Sequence, residues 1–195
     1  MNALGLGILD FIVFADQWQR LRSEPGLAKN AFEEIVRLES PVVGFFRTVA
    51  QQAELAGATI PAESKVLVFF AGANRDPERW ERPDEFDIGR RAIGHAGFGV
   101  GIHNCVGQVI ARMEGEALFS AMTRHVGSIE LVGEPTLRLN NTLRGLDAAD
   151  SPPPCLSRVA PRGVGQAGLP TTVNRGAEVS RDRSHTTAHL KGNDS

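Results

Sequence analysis

Apolar residues recur at three- and four-residue spacing from the start of the chain, and this predicts an amphipathic helix over Leu4–Leu21. No capping residue precedes it, so the helical pattern is already under way at the first residues. Ser23-Glu24-Pro25-Gly26 is turn chemistry, and a second helix follows over Leu27–Glu39. Ser40-Pro41 ends it, because the residue before a proline is pushed out of the helical region. From Phe45 to Phe70 the texture becomes that of strands: Phe45–Val49, Glu54–Ala56 and Lys65–Phe70, with turns at Ala56-Gly57-Ala58 and Pro61-Ala62-Glu63-Ser64. A small, mostly antiparallel sheet is expected there.

Asn74–Ile93 is dense in Asp, Pro, Arg and Trp and has no period, and an ordered loop of that length has to pack on itself. Phe98–Gly107 is glycine-rich and opens onto a helix over Val106–Val126, with short strands expected at Ile129–Val132 and Leu137–Leu143. Beyond Leu146 the pattern stops. Ser151-Pro152-Pro153-Pro154 and a run rich in Gly, Arg, Thr and Ser predict a disordered tail. The fold class is therefore mainly α with small antiparallel β sheets, divided into a domain over 1–148 and a tail over 149–195.

Composition narrows the function classes. A chain of 195 residues, 42% hydrophobic and 23% charged, can bury a core. A net charge of −2 supplies no field to gather nucleic acid or an anionic membrane, although 18 arginines stand against 3 lysines. The apolar run Ile8–Phe14 is interrupted by Asp10 and is too short to span a bilayer. Two cysteines, Cys105 and Cys155, are too few for a secreted disulfide scaffold, so both are read as reduced, in a cytoplasmic setting.

The candidate chemistry lies at the loop-to-helix junction Phe98-Gly99-Val100-Gly101-Ile102-His103-Asn104-Cys105-Val106-Gly107. A cysteine just before a helix sits at its positive end, where backbone N–H groups favour a thiolate. Glycines at 99, 101 and 107 let the backbone bend sharply and let a flat macrocycle approach without Cβ clashes, and Gly107 also permits close packing on the first helical turn. Taken alone, the same cysteine beside glycines is more often a small structural core residue. Glu34-x-x-Arg37 places opposite charges on one helix face, which by itself reads as a solvated ion pair.

The whole pattern says more than its parts. Phe98-x-x-Gly101-x-His103-x-Cys105-x-Gly107, followed by Ala111 and Glu114, resembles the cysteine loop of the cytochrome P-450 superfamily of haem-thiolate monooxygenases. Glu34-x-x-Arg37 resembles that family's helical ion pair, and Pro83-Asp84-Glu85-Phe86-Asp87-Ile88-Gly89-Arg90 its stretch before the cysteine loop. The likeness runs almost continuously to Leu146 through Arg37-Leu38-Glu39-Ser40-Pro41-Val42, Ala73-Asn74-Arg75-Asp76-Pro77 and Asn140-Asn141-Thr142-Leu143-Arg144-Gly145. The last of these, with Phe45-Phe46-Arg47-Thr48, is most similar to soluble bacterial members that oxidise small para-substituted benzoates.

The resemblance implies the C-terminal part of the cytochrome P-450 fold and a haem b whose iron is held by Cys105. It implies Arg47 and His103 as contacts of the haem propionates, with Phe98, Gly99 and Gly107 shaping the loop. His95 is a weaker propionate or loop candidate. Glu34, Arg37 and Arg90 would form a buried charge network that supports the cysteine loop, and Val42, Val43 and Phe45 would touch substrate beneath a closing turn at Asn141–Leu146. From the residues alone, Arg47 is as readily an edge-strand solubility residue, His103 a loop imidazole and the apolar three ordinary core.

The implied partners are a ferredoxin with its reductase or a flavoprotein electron donor, O2, and a small organic substrate, with no nucleic acid and no membrane. Full members are more than twice this long, and their oxygen-activating acid and alcohol pair lies upstream of what is here Met1. No catalytic residue is therefore assigned, and the isolated chain is expected to be an inactive, truncated piece whose tail resembles a frameshifted end. The competing readings are a non-catalytic remnant, a haem-binding sensor module, and a zinc site built from Cys105, His103 and His95, which falls short of a closed tetrahedral set.

Overall fold

The structure is a computed structural model that describes residues 2–131, 133, 135–138, 140–147 and 160–161. Helix α1 spans Asn2–Val13 and α2 spans Ala15–Ser23. The single predicted helix is thus two, broken at Phe14 (φ −109°, ψ 67°). Ile12-Val13-Phe14 is a β-branched and aromatic run of weak helix formers, and the bend brings the Phe14 ring to 5.6 Å from that of Phe86. A 3-10 turn over Pro25–Leu27 leads into α3, Ala28–Glu39.

Helix α3 is the centre of the molecule. It packs on α1 and on the long helix α5, Gln108–His125, and every residue from Ala31 to Ser40 is buried. Ile35 and Leu38 are both 0% exposed, and such burial contributes about 1.5–3 kcal/mol per side chain. Gly115 makes the α3–α5 approach feasible, since a Cβ there would overlap the Phe32 ring. Phe11 anchors the other side, with ring centroids 5.5 Å from Trp18, 5.5 Å from Phe86 and 5.4 Å from Phe119 in edge-to-face geometry.

Helix α3 ends at Ser40, as the Ser-Pro step predicts, but by a different route. Ser40 is left-handed (φ 41°, ψ 66°) rather than extended. Two side-chain bonds hold it there: its hydroxyl donates to the Arg37 carbonyl at 2.9 Å and accepts from Asn74 Nδ2 at 2.9 Å.

The strand region forms two separate antiparallel pairs, in place of one sheet. Strand β1 (Gly44–Thr48) pairs with β4 (Lys65–Phe69) in the register Gly44–Phe69 to Thr48–Lys65, and β2 (Ala53–Leu55) pairs with β3 (Ala58–Ile60). Ala56 and Gly57 both take positive φ in the two-residue turn between β2 and β3, which suits the twist of a hairpin. Phe70, expected at the end of a strand, instead begins the one-turn helix α4, Phe70–Ala73.

Past α5, strand β5 is Val126–Ser128, paired with β6 at Ala160–Pro161, which are the described residues of the predicted tail. The strand expected at Ile129–Val132 is absent among the described residues, and Leu137–Leu143 contributes only single bridges, Leu137 to Leu146 and Leu143 to Val42. Pro135 lacks an N–H, and Asn140 turns the chain by accepting from the backbone N–H groups of Thr142 and Leu143, both at 2.8 Å. No helix among the described residues is long and apolar enough to cross a membrane.

Candidate functional site

The loop over residues 74–93 has no regular structure and is held by charge. Glu34, 0% exposed, accepts from Arg37 at both oxygens (2.7 and 2.9 Å), from Arg90 Nε at 3.0 Å and from the Asp87 N–H at 3.2 Å. Arg37 Nη1 donates to the carbonyls of Asn74 (2.7 Å) and Pro83 (2.8 Å), and its guanidinium lies 5.4 Å from the Trp80 ring. Arg90 donates onward to the carbonyls of Glu81 (2.5 Å) and Arg82 (3.0 Å). The three charged residues singled out by sequence thus form one buried network, and its donors stitch the loop to α3. Such a network holds because one carboxylate and a set of backbone carbonyls together satisfy both guanidinium groups.

The loop delivers the chain to the cysteine segment. Two short 3-10 turns, Ala96–Phe98 and Gly101–His103, fold it tightly, and the Cys105 N–H closes it by donating to the Phe98 carbonyl at 2.8 Å. Gly99 (φ 74°) and Gly101 (φ 64°) take the left-handed half of the map, as their type allows. At Gly99 a Cβ would also stand 2.9 Å from the His103 carbonyl oxygen. Gly99→Ala should therefore cost about 1–3 kcal/mol through strain, read as a lower urea midpoint; an unchanged midpoint would show that the loop relaxes freely.

Gly107 departs from expectation. Its φ is −83° and the nearest atom to a Cβ there would be Cys105 Sγ at an ordinary 3.8 Å, so no turn or helix packing requires glycine at this position. A side chain there would stand beside the sulfur.

Cys105 is an exposed free thiol, and it lines a cavity of about 860 Å3. Around the same cavity stand Arg47, His103, Phe98, Gly99, Val42 and Phe45, drawn from segments up to 63 residues apart in sequence. Val43 is the predicted contact that stays out: its backbone instead joins the Thr142 carbonyl (2.9 Å) and the Ala71 N–H (3.1 Å). That bonding, with Arg144 N–H donating to the Pro41 carbonyl at 2.8 Å, docks the 140–145 turn on the segment after α3 and brings Leu143 to the cavity wall. Val36 of α3 and Asn2, Ala3 and Leu4 of α1 also line it, and these were not anticipated. The signal was present in α1, where apolar residues predominate over Asn2–Val13 and so call for more than one partner.

His95 is buried and both of its ring nitrogens are taken. Nδ1 accepts from the Gly97 N–H at 3.0 Å, and Nε2 lies 2.9 Å from Glu33 Oε2. Of its two predicted uses the loop contact holds and the propionate contact does not, and no ring nitrogen is left for a metal. Among the described residues no group of three His, Cys, Asp or Glu is placed to hold a metal ion.

Glu33 also accepts from Arg112, at 2.5 and 3.3 Å. Burial alone would raise the Glu33 carboxyl, but the hydrogen bonds from His95 and Arg112 and the adjacent positive charge outweigh it and hold the group below its ordinary value of 4.5. A depressed folded-state value adds stability above the unfolded-state value, and that stability is lost as pH falls through the folded one. The parent should therefore lose more of its urea stability as pH falls below the ordinary value of 4.5 than Glu33→Gln does; parallel profiles would contradict the linkage.

A haem fits these residues. The cavity is bounded by apolar and aromatic groups, the one thiol among the described residues faces it, and the neighbouring loop presents glycine backbone in place of side chains. Two groups suited to carboxylates, Arg47 and His103, stand at the same cavity.

Comparison with known proteins agrees. The family described as Cytochrome P450 matches residues 17–126. Cytochrome P450 CYP199A2 of Rhodopseudomonas palustris is 52% identical over 148 residues, covering 76% of this chain and 36% of that protein. A beta-dihydromenaquinone-9 omega-hydroxylase of Mycobacterium bovis is 41% identical over 133 residues, covering 68% and 27%. Among solved structures, the tirandamycin C-bound P450 monooxygenase TamI superposes with a TM-score of 0.71 at 38% identity, covering 74% and 37%, and CYP109Q5 from Chondromyces apiculatus with 0.71 at 32%, covering 74% and 38%. The chain spans between 27% and 38% of the length of these relatives. The chain belongs to the cytochrome P450 family, whose cofactor is haem.

Proposed function

We propose that this chain forms the cysteine-bearing side of a haem monooxygenase site, with Cys105 as the axial ligand of the iron. The observation that carries the reading is the convergence of Cys105, Arg47, His103, Phe98 and Gly99 on one cavity. Bound haem supplies one-electron and O2 chemistry, to which a thiolate ligand lends electron density that favours O–O cleavage. The chain's own residues would do the holding. Arg47 and His103 would donate charge-assisted hydrogen bonds to the propionates, Gly107 keeps a side chain clear of the sulfur, and the Glu34–Arg37–Arg90 network fixes the loop from behind.

Val42 and Phe45, with Leu143 of the closing turn, present an apolar wall that suits a small apolar or aromatic substrate. The Phe45-Phe46-Arg47-Thr48 and Asn140–Gly145 words favour para-substituted benzoates within that class. Hydroxylation or O-dealkylation, with electrons from a ferredoxin and its reductase or from a flavoprotein in a cytoplasmic setting, is the activity proposed for a whole protein containing this chain. For the chain itself the proposed function is to hold haem in the domain over 1–148.

The test is the absorbance of the haem-reconstituted chain, reduced with dithionite and exposed to carbon monoxide. A far red-shifted Soret band supports thiolate ligation; a band at the position of ordinary nitrogen-ligated haem, or none, overturns it.

A further inference from the structure

Two adjacent glutamates on α3 are buried, and the reading above uses only one. Glu34 faces the 81–90 loop, whereas Glu33, 5% exposed, faces the cysteine segment. We propose that Glu33 is a positioning residue for Cys105, tying both ends of the cysteine segment to α3 through His95 and Arg112; this rests on Cys105 being the axial ligand.

The geometry is that of a clamp. At the entering end, the His95 Nδ1 accepts from the Gly97 N–H at 3.0 Å, which assigns its proton to Nε2, 2.9 Å from Glu33 Oε2. At the leaving end, α5 begins at Gln108, three residues beyond the cysteine, and its Arg112 donates back to Glu33 Oε1 at 2.5 Å and from Nη1 to Gln108 Oε1 at 2.5 Å. The two ends also meet each other. The Arg112 guanidinium lies 4.5 Å from the centroid of the Phe98 ring, and the Phe98 carbonyl is the acceptor for the Cys105 N–H. One carboxylate therefore governs His95, the turn that follows it, Phe98 and the first turns of α5, and the sulfur lies between them.

An ordinary stabilising ion pair would not need this arrangement. Arg112 is 30% exposed at its side chain and could be satisfied by water, yet it is drawn onto a carboxylate that is 6% exposed. The fold has other supports here: Asn74 Oδ1 accepts from the Ala96 N–H at 2.6 Å independently of Glu33. Loss of the clamp should loosen the segment and leave the helices standing.

The experiment uses the full chain loaded with haem, as parent, Glu33→Gln, Arg112→Gln and the double variant. In the reduced carbon monoxide complex, each single change is expected to lower the ratio of the far red-shifted Soret band to the shorter-wavelength band by about fivefold, with helical circular dichroism at the parent value. The double variant should be no worse than either single one, because both remove the same clamp. Unchanged ratios, or losses that multiply, overturn the proposal.

Amide hydrogen exchange supplies the second reading, independent of haem. The Gly97 and Cys105 amides should exchange about tenfold faster in both single variants while those of α3 hold their parent rates; equal rates at Gly97 and Cys105 overturn the proposal. If the parent itself gives no thiolate band, the axial-ligand assignment is what has failed. The exchange rates then decide the tether alone, upholding it if faster and overturning it if unchanged.

Discussion

Glu34→Ala should leave the chain unable to hold its tertiary structure. The carboxylate accepts from Arg37, Arg90 and the Asp87 N–H, and both it and Arg37 are 0% exposed. Removing it strands the Arg37 guanidinium among carbonyl groups, a change that costs about 3–5 kcal/mol when one partner of a buried pair is deleted. Whole domains are stable by only about 5–15 kcal/mol, so the loss takes a large share of the total. The loop over residues 81–90 would be released with it, because Arg90 and Arg37 are what join its carbonyls to α3. Near-ultraviolet circular dichroism and urea titration read the effect. A variant that keeps the parent's sharp transition and midpoint would show that the network is dispensable.

Cys105→Ser should do the reverse, removing the chemistry and sparing the fold. The side chain is exposed, and the bond that closes its loop runs from its backbone N–H to the Phe98 carbonyl, which serine reproduces. A stability change within about 0.5 kcal/mol is expected for such a surface exchange. The far red-shifted Soret band of the carbon monoxide complex should vanish, because a serine hydroxyl does not supply a thiolate. Persistence of that band in the serine variant would remove Cys105 from the iron.

These two results divide the site between what local sequence reveals and what only packing reveals. Glu34, Arg37, Arg90 and the cysteine loop were legible because short words at fixed spacing carry them. The Phe14 break and the short α4 were not, since each depends on where an aromatic ring finds its neighbours rather than on period. The left-handed Ser40 was hidden for a related reason: a following proline forbids the helix but does not choose among the remaining conformations, and here Asn74, 34 residues away, makes the choice.

Glu33, His95 and Arg112 show the same limit at the site. Glu33 sits beside Glu34 in a charged stretch that reads as a solvated face, and its partners lie 62 and 79 residues downstream. His103 and Arg47 were assigned to the site by what the family resemblance implies, and both line the cavity. His95, spaced less tellingly, was assigned its actual partner only by the fold. Among the described residues the strands expected at Ile129–Val132 and Leu137–Leu143 are missing, and Pro135 and the Asn140 turn interrupt that stretch.

The burial of nine consecutive residues of α3, Ala31 to Glu39, also sets the order of events in folding. A twelve-residue helix is marginal by itself in water, and this one has no side from Ala31 onward that water can wet. It can reach its final form only when α1, α5 and the 81–90 loop close on it together, so its amides should exchange through global opening alone. Whatever frees α3 then frees the elements packed on it, and the loss of this helix should be abrupt rather than piecemeal.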